Sequence, residues 1–155
     1  MRQPDPKANP VWQLYLMWGT YAFALIIYTV IAYAFKPAQP SKLPPALLQN
    51  AALLGVVLGL SCWTASQTLG SAIAGKPAGV SDLASQLAPL KNAVTLMAVL
   101  AEAPALLGLV FRLLGLPFGG YLVFAGASLL VHLSGLNWLL RRLKAGSLGR
   151  RVVGS

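Results

Sequence analysis

The sequence predicts an all-α integral membrane protein, a four-helix bundle with both termini in the cytoplasm. Three observations predict it. Apolar residues make up 57% of 155 positions and charged residues 10%, whereas soluble domains carry about 25% charged residues. Four stretches are long and nearly free of charge, each near the ~20 residues that cross a hydrocarbon core. Lys and Arg gather beyond the ends of those stretches, mostly on one side. The mean hydropathy of +0.68 excludes a disordered chain and an ordinary cytosolic enzyme.

The first span covers about residues 11–35, from Val11 to Phe35, without a charge. Ala32-Tyr33-Ala34 imitates a signal-peptide cleavage site. The apolar run is too long for that, since such regions hold about 7–15 residues, so it reads as a retained span. The second covers about 47–74, the third about 92–114 with Glu102 and Arg112, and the fourth about 118–140 with His132. In lipid, backbone polar groups must be satisfied within the segment, so all four are helices.

Proline and glycine separate the spans. Pro37, Pro40, Pro44 and Pro45 cannot continue the first helix, because proline lacks an N–H and clashes with the preceding turn. Gly75-Lys76-Pro77 ends the second. Gly115-Leu116-Pro117-Phe118-Gly119-Gly120 is a tight uncharged turn, so spans three and four form a close hairpin. The middle loop admits two readings. Ser81 and Asp82 resemble a helix start, and Leu83, Leu87 and Leu90 then line one face of a short interfacial helix over about 81–90. The other reading is an irregular loop whose leucines tuck into the bundle.

Orientation follows from the basic residues. Arg2, Lys7, Lys76, Lys91, Arg141, Arg142, Lys144, Arg150 and Arg151 lie on one side; Lys36, Lys42 and Arg112 lie on the other. The positive-inside rule then puts the side with nine in the cytoplasm. Arg141, Arg142, Lys144, Arg150 and Arg151, on the basic tail of residues 141–155, are topology anchors that can also hold anionic lipid. Trp12, Tyr15 and Trp138 fall at the cytoplasmic interface, and Tyr33 and Tyr121 near the outer one. Arg112 can snorkel to that outer boundary. A charge of +9 does not point to nucleic acid here, since no basic patch is interleaved with exposed aromatics.

Membrane helices associate through small residues that let backbones approach. Gly55 and Gly59 stand at GxxxG spacing on span two, with Cys62 and Ser66 continuing the line. Ala98, Ala101, Ala105 and Gly108 line span three. These form the expected packing seam, and they can equally be contact faces for other chains.

Glu102 lies about ten residues from either end of its span. An ionised carboxylate at mid-bilayer costs on the order of 3 kcal/mol on insertion scales. It must hold a proton or find a partner. The turn centres on Pro117, with Glu102 fifteen residues before and His132 fifteen after. In an antiparallel hairpin the two share a depth, within about one helical turn. Either they form a buried pair holding one proton, or His132 faces a backbone carbonyl or lipid headgroups. Counting back across the middle loop brings Ser61, Thr64 and Ser66 near the same level as further partners. Tyr21 and Tyr28, seven apart on one face of span one, can add hydroxyl donors. Pro104 leaves the Leu100 carbonyl without its helical donor, which opens a polar pocket beside the acid.

Residues 97–110, Met97 through Val110, resemble the ion-carrying helix of rotary ATPase proteolipid (c or K) subunits. In that family a mid-membrane Glu followed by small residues and a Gly binds the translocated proton or sodium ion. The resemblance implies that role for Glu102. It covers 14 of 155 residues. Four-span proteolipids carry the acid on an even-numbered span, and Glu102 is on the third. The whole chain is similar to small four-span bacterial membrane proteins with A-E-x-x-x-x-x-G in the third span, here Ala101-Glu102 through Gly108.

The expected function is a non-catalytic accessory or assembly subunit of a larger complex in the bacterial inner membrane. Its partners are the lipid bilayer and other membrane subunits or further copies of itself. The alternative is proton or cation translocation centred on Glu102. An enzyme is not expected: three acids, one His and one Cys supply neither an oriented nucleophile nor the three or four ligands of zinc. No metal or cofactor is expected.

Overall fold

The computed structural model describes residues 10–36, 41–74 and 83–145. Within them the chain is all-α, with α1 Pro10–Ala34, α2 Pro45–Ala74, α3 Leu83–Leu113 and α4 Phe118–Ala145. All four are long and apolar enough to cross a membrane. Proline opens α1 and α2, where its missing N–H costs nothing.

The helices run alternately up and down. α3 and α4 touch every other helix, and α1 and α2 do not touch each other. The α3–α4 hairpin is thus the centre of the bundle, with α1 and α2 lying against it separately. Three core clusters stack along it. Leu14, Trp18, Leu90, Val94, Met97, Ala98 and Leu139 fill the end where α1 begins. Leu43, Ala51, Leu116 and Phe124 fill the far end. Between them the cluster is built from Cys62, Ala101 and Val131. This thin middle layer is where Glu102 sits.

Small residues set the spacing there. Ala51, Gly55, Gly59, Cys62, Ser66 and Gly70 form the buried line of α2. A Cβ at Gly59 would lie 2.7 Å from the Ala127 Cβ on α4, and one at Gly108 would lie 2.5 Å from the Phe124 Cβ. Neither helix pair can approach this closely with a larger residue. Ala98, Ala101 and Ala105 are fully buried on α3, and Gly108 is buried with them.

One feature differs from the sequence reading. The short interfacial helix and the third span are a single helix from Leu83 to Leu113, running through Pro89. Proline removes one hydrogen bond and bends a helix without having to end it, and no glycine falls between residues 83 and 107 to stop this one. Ser81 and Asp82 lie outside the described residues. Tyr121, near the start of α4, is fully buried in the bundle, its hydroxyl 3.1 Å from Thr29 Oγ1 on α1.

The α3–α4 turn closes in a Schellman motif. Leu116 N–H donates to the Phe111 carbonyl (2.8 Å) and Gly115 N–H to the Arg112 carbonyl (3.1 Å). Gly115 takes φ +108°, a left-handed conformation that glycine adopts freely. The segment before α2 docks on this turn, with Lys42 N–H donating to the Leu114 carbonyl at 3.0 Å.

Candidate functional site

Glu102 points into the bundle from mid-α3 and is 9% exposed. Its Oε2 accepts a hydrogen bond from the Tyr28 hydroxyl of α1 at 3.2 Å. Its Oε1 is buried and has no partner. Pro104 lies fully buried two residues on, so the Leu100 carbonyl lacks a donor from position 104.

His132 faces the same interior from α4 and is 3% exposed. Nδ1 is 3.0 Å from the Ser128 carbonyl, one turn earlier. Trp18 of α1 meets the ring edge-on at 5.6 Å between centroids. Nε2 is buried without a partner. Ser128 in turn donates its hydroxyl to the Ala101 carbonyl, the residue beside Glu102. The ring is therefore held by α4 and α1, and α4 is tied to α3 at the level of the acid. No hydrogen bond joins the ring to the acid directly. Two polar atoms from different helices are thus left without a hydrogen-bond partner in the bundle interior. Buried polar groups are nearly always bonded, so this pair stands out.

The serines and threonine of α2 are placed otherwise than depth alone suggests. Ser61 and Thr64 are exposed and donate to the Val57 and Leu60 carbonyls, each at 2.9 Å. Ser66 is fully buried but donates to the Trp63 carbonyl at 2.8 Å. None of the three bonds Glu102. A hydroxyl on a helix can satisfy itself on its own preceding turn, so a polar stripe need not face a polar core. The donor comes instead from α1, as Tyr28. Tyr21 of that same face packs partly buried against the end cluster.

A second polar centre was not legible as one. Arg112, in the last turn of α3, is 9% exposed. Its Nε donates to the Ala32 carbonyl (3.0 Å), Nη1 to the Leu116 carbonyl (3.0 Å) and Nη2 to the Phe35 carbonyl (2.8 Å). Its guanidinium stands 5.9 Å from the Phe118 ring centroid. Ala32 and Phe35 end α1, where carbonyls lack helical donors and the dipole favours a cation. The usable signal is the fork itself: five N–H groups suit several carbonyls at once.

Arg141 and Arg142 are exposed on the last turns of α4, with Arg142 5.5 Å from the Trp138 ring centroid. The Lys144 side chain, Arg150 and Arg151 lie outside the described residues. Among the described residues no three of His, Cys, Asp and Glu gather as a metal-ligand cluster would.

Comparison with known proteins finds no family, no curated relative and no solved structure that matches.

Proposed function

We propose that this chain is a multi-pass protein of the bacterial inner membrane, with cytoplasmic termini, serving as a non-catalytic accessory or assembly subunit of a larger membrane complex. The observation that carries this reading is how its polar groups are used. Arg112 of α3 binds the Ala32 and Phe35 carbonyls at the end of α1 and the Leu116 carbonyl of the turn. Ser128 ties α4 to α3. Trp63 Nε1 and Gln67 Nε2 clasp Ser134 at 2.7 and 3.1 Å. They fasten helices to one another, while large apolar side chains such as Ile26, Val30, Leu53, Leu60 and Leu130 are exposed on the outer faces of α1, α2 and α4. Such faces suit lipid and neighbouring membrane helices, which associate by packing.

Blue-native migration after gentle solubilisation tests it. The protein should run with co-purifying chains or as an oligomer; a lone monomer contradicts the reading. Reporter fusions at the C-terminus should be active in the cytoplasm, and activity on the far side contradicts the orientation.

Proton or cation translocation centred on Glu102 is the second reading, favoured by the unpartnered, buried Oε1. Flux into liposomes should disappear in Glu102→Gln. Equal flux in both proteins, or none in either, contradicts it.

A further inference from the structure

The tautomer of His132 is determined by its neighbour. A carbonyl oxygen can only accept, so the 3.0 Å contact to Ser128 requires the hydrogen on Nδ1. In the neutral ring Nε2 is then a bare lone pair. On the acid, Oε2 is occupied by the Tyr28 hydroxyl. Oε1 of the carboxylate is likewise a bare lone pair. Two acceptors thus occupy the same interior, and neither has a donor.

We propose that Glu102 and His132 together bind a single proton, shared between Oε1 of the acid and Nε2 of the ring through one bridging water. One proton removes both deficits. On Oε1 it makes the acid a donor toward the ring. On Nε2 it makes an imidazolium facing a carboxylate. The water carries it between the two: it accepts the proton from Oε1 as that O–H bond breaks, and gives up one of its own as the N–H bond forms. Water relays of this kind are nearly as favourable as direct bonds when the water has polar partners on both sides.

The surroundings hold the geometry without competing for the proton. The other titratable or charged groups on the packed helices include Tyr21 and Tyr28 on α1, Cys62 on α2, Arg112 further along α3 and Tyr121 on α4. None of these is hydrogen-bonded to Oε1 or Nε2. Tyr28 is committed to Oε2, Arg112 to three carbonyls, and Tyr121 to Thr29. Cys62 packs among Ala101 and Val131. Trp18 closes the ring's edge.

The proposal rests on the membrane reading, since water on both sides would satisfy each atom separately. Insertion is scored by itself, as retention in native vesicles after an alkaline carbonate wash, so its failure cannot be confused with failure of the pair. The chain holds one histidine and one glutamate, which makes the direct test unambiguous. The full chain, labelled with nitrogen-15 histidine and carbon-13 glutamate, is placed in lipid nanodiscs and titrated by NMR. The Glu102 carboxyl carbon and His132 Nε2 should move together in one step, with Nδ1 protonated throughout. Glu102→Gln should displace the Nε2 midpoint by tenfold or more in proton affinity. His132→Asn, read at the Glu102 carbon, should displace that midpoint likewise and serves if the first variant fails to fold. Two separate steps, each indifferent to replacement of the other residue, overturn the proposal. So does a bare Nδ1. So does sodium or lithium chloride shifting the Glu102 signal at fixed pH as protons do, which would make the site one for a metal cation.

Discussion

Arg112 and Glu102 sit ten residues apart on the same helix, about 15 Å along its axis. Both are 9% exposed, and they are finished differently. The arginine's Nε, Nη1 and Nη2 each have a carbonyl acceptor, and an aromatic ring lies beside its plane. The glutamate has one oxygen bonded and the other bare. A fully satisfied buried charge is a fastening. A half-satisfied one carries a cost of about 1–3 kcal/mol, which is what makes Glu102 the candidate for binding or exchange. The described contacts are therefore complete around the arginine and incomplete around the acid.

The widest separation between the two regions should appear on removing Arg112. Arg112→Leu strips the donors from the Ala32, Phe35 and Leu116 carbonyls and frees the end of α1. A loss of about 3 kcal/mol or more is expected, read by thermal or SDS unfolding in detergent. Arg112→Lys, which cannot span three acceptors, should fall between. A wild-type unfolding curve for Arg112→Leu would show that the contacts fasten nothing.

Overpacking the seam comes next. Gly108→Val would drive a side chain into Phe124 and should cost about 1–3 kcal/mol in the same assay. Tyr28→Phe tests the middle alone. It deletes the donor to Oε2 and should cost about 1 kcal/mol while changing how Glu102 titrates. Arg112→Lys should leave that titration unchanged, which sharpens the division between the two regions. The smallest effect is expected of Thr64→Val. That hydroxyl bonds only its own helix, so stability should stay within about 0.5 kcal/mol of wild type. A larger loss would mean that α2 turns its threonine inward.

The contrast also shows what a sequence encodes along a helix and what it encodes around it. Axial position was legible. Span limits read at 11–35, 47–74 and 118–140 fall close to Pro10–Ala34, Pro45–Ala74 and Phe118–Ala145, because prolines and glycines punctuate a chain whose helices must satisfy their own backbone. Counting from the turn brought Glu102 and His132 to one depth. Azimuth was not legible in the same way. Ser61 and Thr64 share a depth range with the acid but point away from it. All the helices are apolar all round, so periodicity does not say which face turns inward. On α2 the glycines do: the line through Gly55, Gly59 and Gly70 is the buried one. The partners of Arg112 were not legible for a related reason. Nearness to a span's end allows snorkelling, but the free carbonyls of α1 that draw the side chain inward exist only once α1 is docked.

Infrared spectroscopy of the carboxyl group tests the division between fastening and exchange most directly. Difference spectra across a pH step, assigned to Glu102 by its loss in Glu102→Gln, should contain a carboxylic-acid band that shifts when His132 is replaced by Phe and is unmoved by Arg112→Lys. A Glu102 band identical with and without the imidazole would contradict the account, because the acid would then be answering to something other than the ring across from it.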